Sequence, residues 1–201
     1  MLQSALGVIM LGFIMHAKAP FVPTVLIILA GISACTSTPT PTAPPPQTVS
    51  QLRLDDYLGT WYEIGRLPMS FQDKCTHNVT ANYSLKDNGK IQILNTCQTK
   101  DGQISAHGEA HVFDSSNAKL KVSFLPGFLK KFTFGQADYL VIATTQNHQN
   151  YTSALVGTSD RKYLWILSRT PTLDDAIYQN YLAIARQNGF DISNFTSTRQ
   201  E

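Results

Sequence analysis

From about residue 52 onward, hydrophobic and polar positions alternate with a period of two in short runs bounded by turn residues. This is the pattern of half-buried strands. It predicts strands at 60–67, 76–85, 90–97, 103–113, 118–124, 138–144, 151–157 and 162–169. Leu120, Val122 and Phe124 share one face of the fifth run. Ile104, Ala106, Gly108, Ala110 and Val112 share a face of the fourth, with small residues where a curved sheet needs room. Asp87-Asn88-Gly89 supplies hairpin chemistry, since Asn and Gly tolerate positive φ. Eight consecutive antiparallel strands with short links imply an up-and-down barrel or a sandwich. The period changes after Pro171. Leu173, Ile177, Tyr181 and Ile184 recur at helical spacing, with Thr172 as the expected N-cap and Gly189 as the stop. One apolar stripe on one helix predicts packing against the outside of the sheet.

The N-terminal pattern is different. Residues 21–34 form an apolar run behind Lys18 and end in small residues, as signal peptides do. The run is short and Pro23 interrupts it, which disfavours a membrane span. Residues 1–14 carry no basic residue, so Met10 or Met15 competes with Met1 as the translation start. Ile32-Ser33-Ala34-Cys35 resembles the lipobox of bacterial lipoproteins. That resemblance implies an acylated Cys35 as the mature N-terminus, and Thr36, where an Asp would signal inner-membrane retention, implies the outer membrane. Residues 36–50 are rich in Pro and Thr and uncharged, so they favour extended conformations. The expected organisation is a signal peptide over 1–34, a lipidated Cys and tether over 35–51, and a folded domain over 52–201.

Charge and motifs remove several classes of function. The 16 Lys and Arg nearly balance the 14 Asp and Glu, so no basic surplus points to nucleic acid. No G-x-S-x-G, phosphate-binding loop or Cys-x-x-Cys occurs, and no cofactor is expected. His77, His107 and His111 fall in strand runs. His107 and His111 share a face with Glu109 but stand about 13 Å apart, too far to share one metal ion. A solvated polar stripe is the better account of them, and no metal site is expected.

Gly59-Thr60-Trp61-Tyr62 opens the first strand and Arg169 ends the last. With YLGTWYEIGRLP (57–68), YLWILSRTPT (163–172) and GFDISNF (189–195), the chain resembles the lipocalin family over residues 52–197, and its bacterial outer-membrane lipoprotein branch in particular. The resemblance implies an all-β fold, an eight-stranded antiparallel barrel with one C-terminal helix outside, and binding without catalysis. In such a barrel the first strand leaves, and the last returns to, the same end. Trp61 and Arg169 therefore meet there, in a cation–π contact of about 0.5–2 kcal/mol. Gly59, Trp61 and Arg169 are structural: they seal the bottom of a cup.

The mouth is then formed by links 68–75, 98–102, 125–137 and 158–161. The third holds Phe128, Lys130, Lys131 and Phe132, which are expected either to pack over the rim or to act as a gate or membrane-touching lip. Cys75 and Cys97 lie at this end on neighbouring strands. A disulfide is favoured in an oxidising compartment, although the turn register leaves the two out of opposition and demands a bulge or loop slack. By alternation, Trp61, Glu63 and Gly65 point inward, as do Tyr163, Trp165 and Leu167, and Leu120, Val122 and Phe124.

The family resemblance implies a fatty acid or lysophospholipid as ligand. Burying about a dozen methylenes gains roughly 10 kcal/mol gross, against roughly 4–15 kcal/mol for association, so micromolar affinity is attainable. Expected ligand contacts are Glu63, Leu120, Val122, Phe124, Phe128, Phe132 and Trp165, with Lys130, Lys131 and Arg66 as partners for an anionic head. A pigment, haem or other apolar ring compound is the alternative occupant. An enzyme would need a partner for Glu63 that the sequence does not offer, and a purely structural lipoprotein would bind no amphiphile. Pairing with a second copy is left open. The expected location is the outer membrane, lipid-anchored and periplasm-facing.

Overall fold

The structure is a computed structural model that describes residues 43–125, 135–148 and 150–201. Cys35, the signal segment and Phe128, Lys130, Lys131 and Phe132 lie outside the described residues.

The alternating runs form eight strands: β1 (Gly59–Arg66), β2 (His77–Leu85), β3 (Ile91–Thr99), β4 (Gly102–Val112), β5 (Lys119–Ser123), β6 (Gln136–Asn147), β7 (Asn150–Gly157) and β8 (Leu164–Ser168). Each pairs antiparallel with its neighbour in sequence, and β1 pairs with both β2 and β8, closing the barrel. The hairpin at Asn88-Gly89 forms as expected, with Gly89 at φ +76°. A short helix α1 (Leu54–Tyr57), not foreseen from the pattern, leads into β1.

Two apolar cores result. The inner one fills the barrel with Trp61, Tyr83, Ile91, Ile93, Leu120, Val141, Val156 and Leu167. The outer one lies under helix α2 (Asp175–Gln187), where Tyr181 and Ala185 pack over Leu140, Ile142, Leu155, Leu164 and Ile166. Strands β6–β8 are thus covered on both faces. This is why Ala154-Leu155-Val156 and Leu164-Trp165-Ile166-Leu167 read as continuous apolar runs. Leu173, Ile177, Tyr181 and Ile184 all join the outer core, as their spacing predicts. The cap differs from expectation: Asp174, not Thr172, takes the N-cap and accepts from the amides of Ala176 and Ile177. Thr172 instead turns its carbonyl to the hydroxyls of Ser168 and Thr170.

A ninth, two-residue strand was not legible. β9 (Thr196–Ser197) pairs with Gly65 and Arg66 on the edge of β1 that β2 has left. β2 contacts β1 only through Gly59–Tyr62. Beyond that point the chain terminus fills the seam between them: the Thr198 amide donates to Ile64 O, the Asn78 amide to Arg199 O, and Gln200 Nε2 to the carbonyls of Glu63 and Val79.

A cup with a sealed floor and a charged mouth

The closed end is built around Arg169. Its guanidinium carbon sits 3.7 Å from the centre of the Trp61 ring. Its nitrogens donate to the carbonyls of Thr60 (2.7 Å), Asp56 (2.9 Å) and Leu58 (2.7 Å). Trp61 Nε1 donates to Tyr57 O at 2.8 Å. Gly59 adopts φ +92°, a backbone conformation that favours glycine. Trp61 is fully buried.

Above this floor lies a small apolar cavity of about 20 Å³, room for roughly one water. Leu120 and Val122, both expected inside, line it together with Leu54, Leu58, Ile91, Ile93 and Ala110. Three tyrosines complete the wall and were missed by the sequence reading. Tyr139 Oη bridges Tyr57 Oη (2.9 Å) and Tyr83 Oη (3.1 Å). Burial pushes Tyr83 up to about 12 and Tyr57 and Tyr139 well above the ordinary phenol value, so all three stay neutral. The Tyr83 signal was present as an alternating position in β2; nothing local marked its partners.

The mouth differs from the expected alternation. A bulge between Glu63 and Gly65 shifts the register against β8. Glu63 remains opposite Leu167, facing inward, whereas Gly65 stands opposite Ile166 of the outer core. Gly65 therefore faces out, and a Cβ on it would meet Phe195 at 2.7 Å. Arg66 takes the inner face instead, opposite Trp165. The result is an ion pair inside the rim, with Arg66 Nε 3.7 Å from Glu63 Oε1. Arg66 Nε is buried and makes no hydrogen bond. Glu63 is 3% exposed. It accepts from Gln72 Nε2 (3.0 Å) and Thr198 Oγ1 (2.6 Å), and Gln72 Oε1 accepts from Trp165 Nε1 (3.3 Å). Burial raises the Glu63 pKa, while the bonds from Thr198 and Gln72 and the Arg66 charge oppose the rise.

Phe124 lies at the mouth with its ring over Gly108, where a Cβ would come within 2.8 Å. Tyr163 packs between Phe71 and Trp165 at the rim. Cys75 and Cys97 form a disulfide with Cα atoms 5.6 Å apart. The slack it needs comes from a register shift between His77 and Thr80. His107 and His111 are exposed, and Glu109 between them binds Lys86 (3.0 Å) and Lys90 (2.7 Å). His77 Nε2 lies 3.4 Å from a Glu201 carboxylate oxygen. Among the described residues no group of His, Cys, Asp or Glu could hold a metal ion.

The family model of the lipocalin-like domain matches residues 52–200. The chain is a lipocalin. It is 39% identical over 173 residues to the outer membrane lipoprotein Blc of Escherichia coli K12, covering 84% of this chain and 90% of that protein. It is 38% identical to the Blc of Citrobacter freundii, covering 89% of this chain and 96% of the relative. Mouse apolipoprotein D matches at 34% identity over 78% of the chain and 82% of its own length. Among solved structures, apocrustacyanin C2 superposes with a TM-score of 0.58 at 16% identity, over 79% of this chain and 91% of the other. Insecticyanin of the tobacco hornworm Manduca sexta does so with 0.58 at 20% identity, over 79% of this chain and 84% of its own. As a lipocalin, the barrel is a receptacle for a small lipophilic ligand.

Proposed function

We propose that this lipocalin binds a single-chain amphiphile, a fatty acid or lysophospholipid, and carries or stores it for envelope maintenance while tethered to the outer membrane through acylated Cys35, facing the periplasm. The observation that carries the reading is an apolar cavity in the barrel core together with a partly buried arginine, Arg66, at the opposite end, whose buried Nε has a hydrogen-bond donor to spare. Arg66 Nε holds a donor for a phosphate or carboxylate head, and the acyl chain descends past Trp165 and Phe124 toward the tyrosine floor. The floor cavity of about 20 Å³ is too small for a chain. Occupancy therefore requires Leu120, Val122 and Tyr139 to shift, or the chain to stop above them. Lys130 and Lys131 belong to the β5–β6 link at the same end and add positive charge for the head. Among the described residues Glu63 has hydrogen-bond partners, Gln72 and Thr198, but no base or nucleophile beside it, which favours a binding site over a catalytic one. The relatives named as outer membrane lipoproteins support the location.

Native mass spectrometry of the protein purified from the periplasmic face, titrated with lysophospholipid and with free fatty acid, tests the reading. The expected result is a one-to-one adduct, stronger for the lysophospholipid and weakened in Arg66→Gln. An absorbing chromophore that co-purifies, or no adduct with either amphiphile, overturns it.

A further inference from the structure

The inner face of β3 changes character part-way along the strand. Ile91 and Ile93 line the apolar cavity near the closed end. The next inward position is Asn95, because β3 pairs with β4 from Ile91 to Thr99 without a shift and side chains alternate along a regular strand. Asn95 stands opposite Ala81 of β2 and Ala106 of β4. Ala81 in turn stands opposite Trp61 and packs against the inner core, which fixes the face.

An amide at this place has little to bond. Its neighbours across the sheet, Ala81 and Ala106, end in methyl groups. Its neighbours along the same face are Ile93 and Cys97, the latter held in the disulfide. Tyr83 stands opposite Ile93, and its hydroxyl is paired with Tyr139. Asn95 Oδ1 is buried and makes no hydrogen bond. Among the described residues one other buried side-chain nitrogen or oxygen lacks a partner, and it is Arg66 Nε. Both atoms belong to inward-facing side chains of one barrel. A buried polar atom that gives up water and gains no partner is costly to the fold. Two of them on one inner wall are better explained by a shared third molecule than by two separate defects.

The two atoms call for different chemistry. Arg66 Nε is a donor and suits an anionic head. Asn95 Oδ1 is an acceptor and needs a donor. An ionised carboxylate or phosphate, an ester and a methylene chain have none; a hydroxyl has one. Asn95 lies roughly 7 Å further along the strand than Ile93, on the side away from the closed end. A plain acyl chain reaching the Ile93 level therefore covers the Asn95 carbonyl with methylenes and offers it nothing. A chain with a hydroxyl close to its head can satisfy it. Two kinds of amphiphile carry one there: a lysophospholipid, on its glycerol, and a β-hydroxy fatty acid, on the acyl chain itself. The wall beside Asn95 leaves room for such a group, since Ala106 is exposed although it follows Ala110 and Gly108 on the inner face of β4.

We infer that Asn95 accepts a hydrogen bond from a hydroxyl of the bound amphiphile and thereby selects hydroxylated ligands over plain acyl chains. The inference rests on the reading of the barrel as a site for a single-chain amphiphile. Arg66 and Asn95 then divide recognition between them. Arg66 takes the charge that every such ligand carries, and Asn95 takes the hydroxyl that only some carry. Selectivity arises because a ligand without the hydroxyl leaves the amide buried and unpaired, whereas one with it restores the lost bond.

The test measures the affinity of the full, processed protein for two matched pairs of ligands by native mass spectrometry from detergent micelles. One pair is myristoyl lysophosphatidic acid and its deoxy analogue, which lacks the glycerol hydroxyl. The other is β-hydroxymyristic acid and myristic acid. The expected result is that in at least one pair the hydroxylated member binds roughly tenfold more tightly than its partner. The pair that shows the ratio names the source of the hydroxyl. In Asn95→Leu, a change of similar volume, the ratio falls to about one while the plain member binds at least as well as before. Equal affinities within both pairs in the unaltered protein overturn the inference and leave the amphiphile site standing. A ratio that persists in Asn95→Leu overturns it too. Should that variant fail to fold, the two pairs on the unaltered protein decide by themselves. Binding of none of the four ligands shows that the amphiphile reading is wrong, and the role of Asn95 falls with it.

Discussion

Two glutamates illustrate how environment sets the role of a side chain. Glu109, on the outer face of β4, is held down to about 2 by its hydrogen bonds to Lys90 and Lys86 and by their charges. Its pairing therefore stabilises the fold at pH above 4.5 and is lost as pH falls toward 2. Glu63 behaves oppositely. Its pKa is raised by burial, so the folded state holds the proton longer than the unfolded chain, and stability falls as pH rises above 4.5. Urea melts across pH 2–7 should show Glu109→Gln flattening the acid limb, and Glu63→Gln raising stability at neutral pH relative to pH 4.5. At the closed end, Arg169→Ala removes a cation–π contact and leaves three carbonyls without a charged donor. The expected loss is about 3 kcal/mol, read from the urea midpoint at constant slope.

At the scale of elements, the seam between β1 and β2 depends on the chain terminus. Residues 196–201 supply the hydrogen bonds that β2 withholds from β1 beyond Tyr62. Removing residues 196–201 should expose the amide of Asn78, which donates to Arg199 O, to rapid hydrogen exchange while leaving those of β3 and β4 protected. Gly65→Ala acts on the same seam from the other side. Its Cβ would meet Phe195 at 2.7 Å and Thr196 O at 2.8 Å, and the second is backbone that cannot swing away. A destabilisation of about 1–3 kcal/mol is expected, with faster exchange at Thr198.

For the molecule as a whole, the disulfide fastens the mouth to the barrel wall. Cys75 and Cys97 close a loop with a sequence separation of 22. Replacing both by Ser should cost about 3 kcal/mol of stability. It should also loosen the link that carries Gln72, and with it the Glu63 hydrogen bond. Amphiphile affinity should then fall more than in Glu109→Gln, whose side chain lies on the outer face; isothermal titration of both variants with one lysophospholipid makes the comparison.

Much of this architecture was legible along the chain. Alternation marked eight strands because a half-buried strand needs one apolar face. Their order placed Trp61 against Arg169 because an even number of up-and-down strands returns to its starting end. The helical stripe from Leu173 to Ile184 named its own buried face. What the sequence could not determine depends on residues distant in the chain. The bulge after Glu63 inverts the facing of Gly65 and Arg66, and it is set by the register against β8 and by the room that Phe195 takes. The tyrosine floor requires α1, β2 and β6 to converge, so none of its hydroxyls has a local partner. The strap between β1 and β2 exists only because the terminus returns past the helix to a gap left by another strand. Period-two patterning encodes which residues face a core; bulges, seams and the direction in which the chain leaves the barrel are settled by packing between segments far apart in sequence.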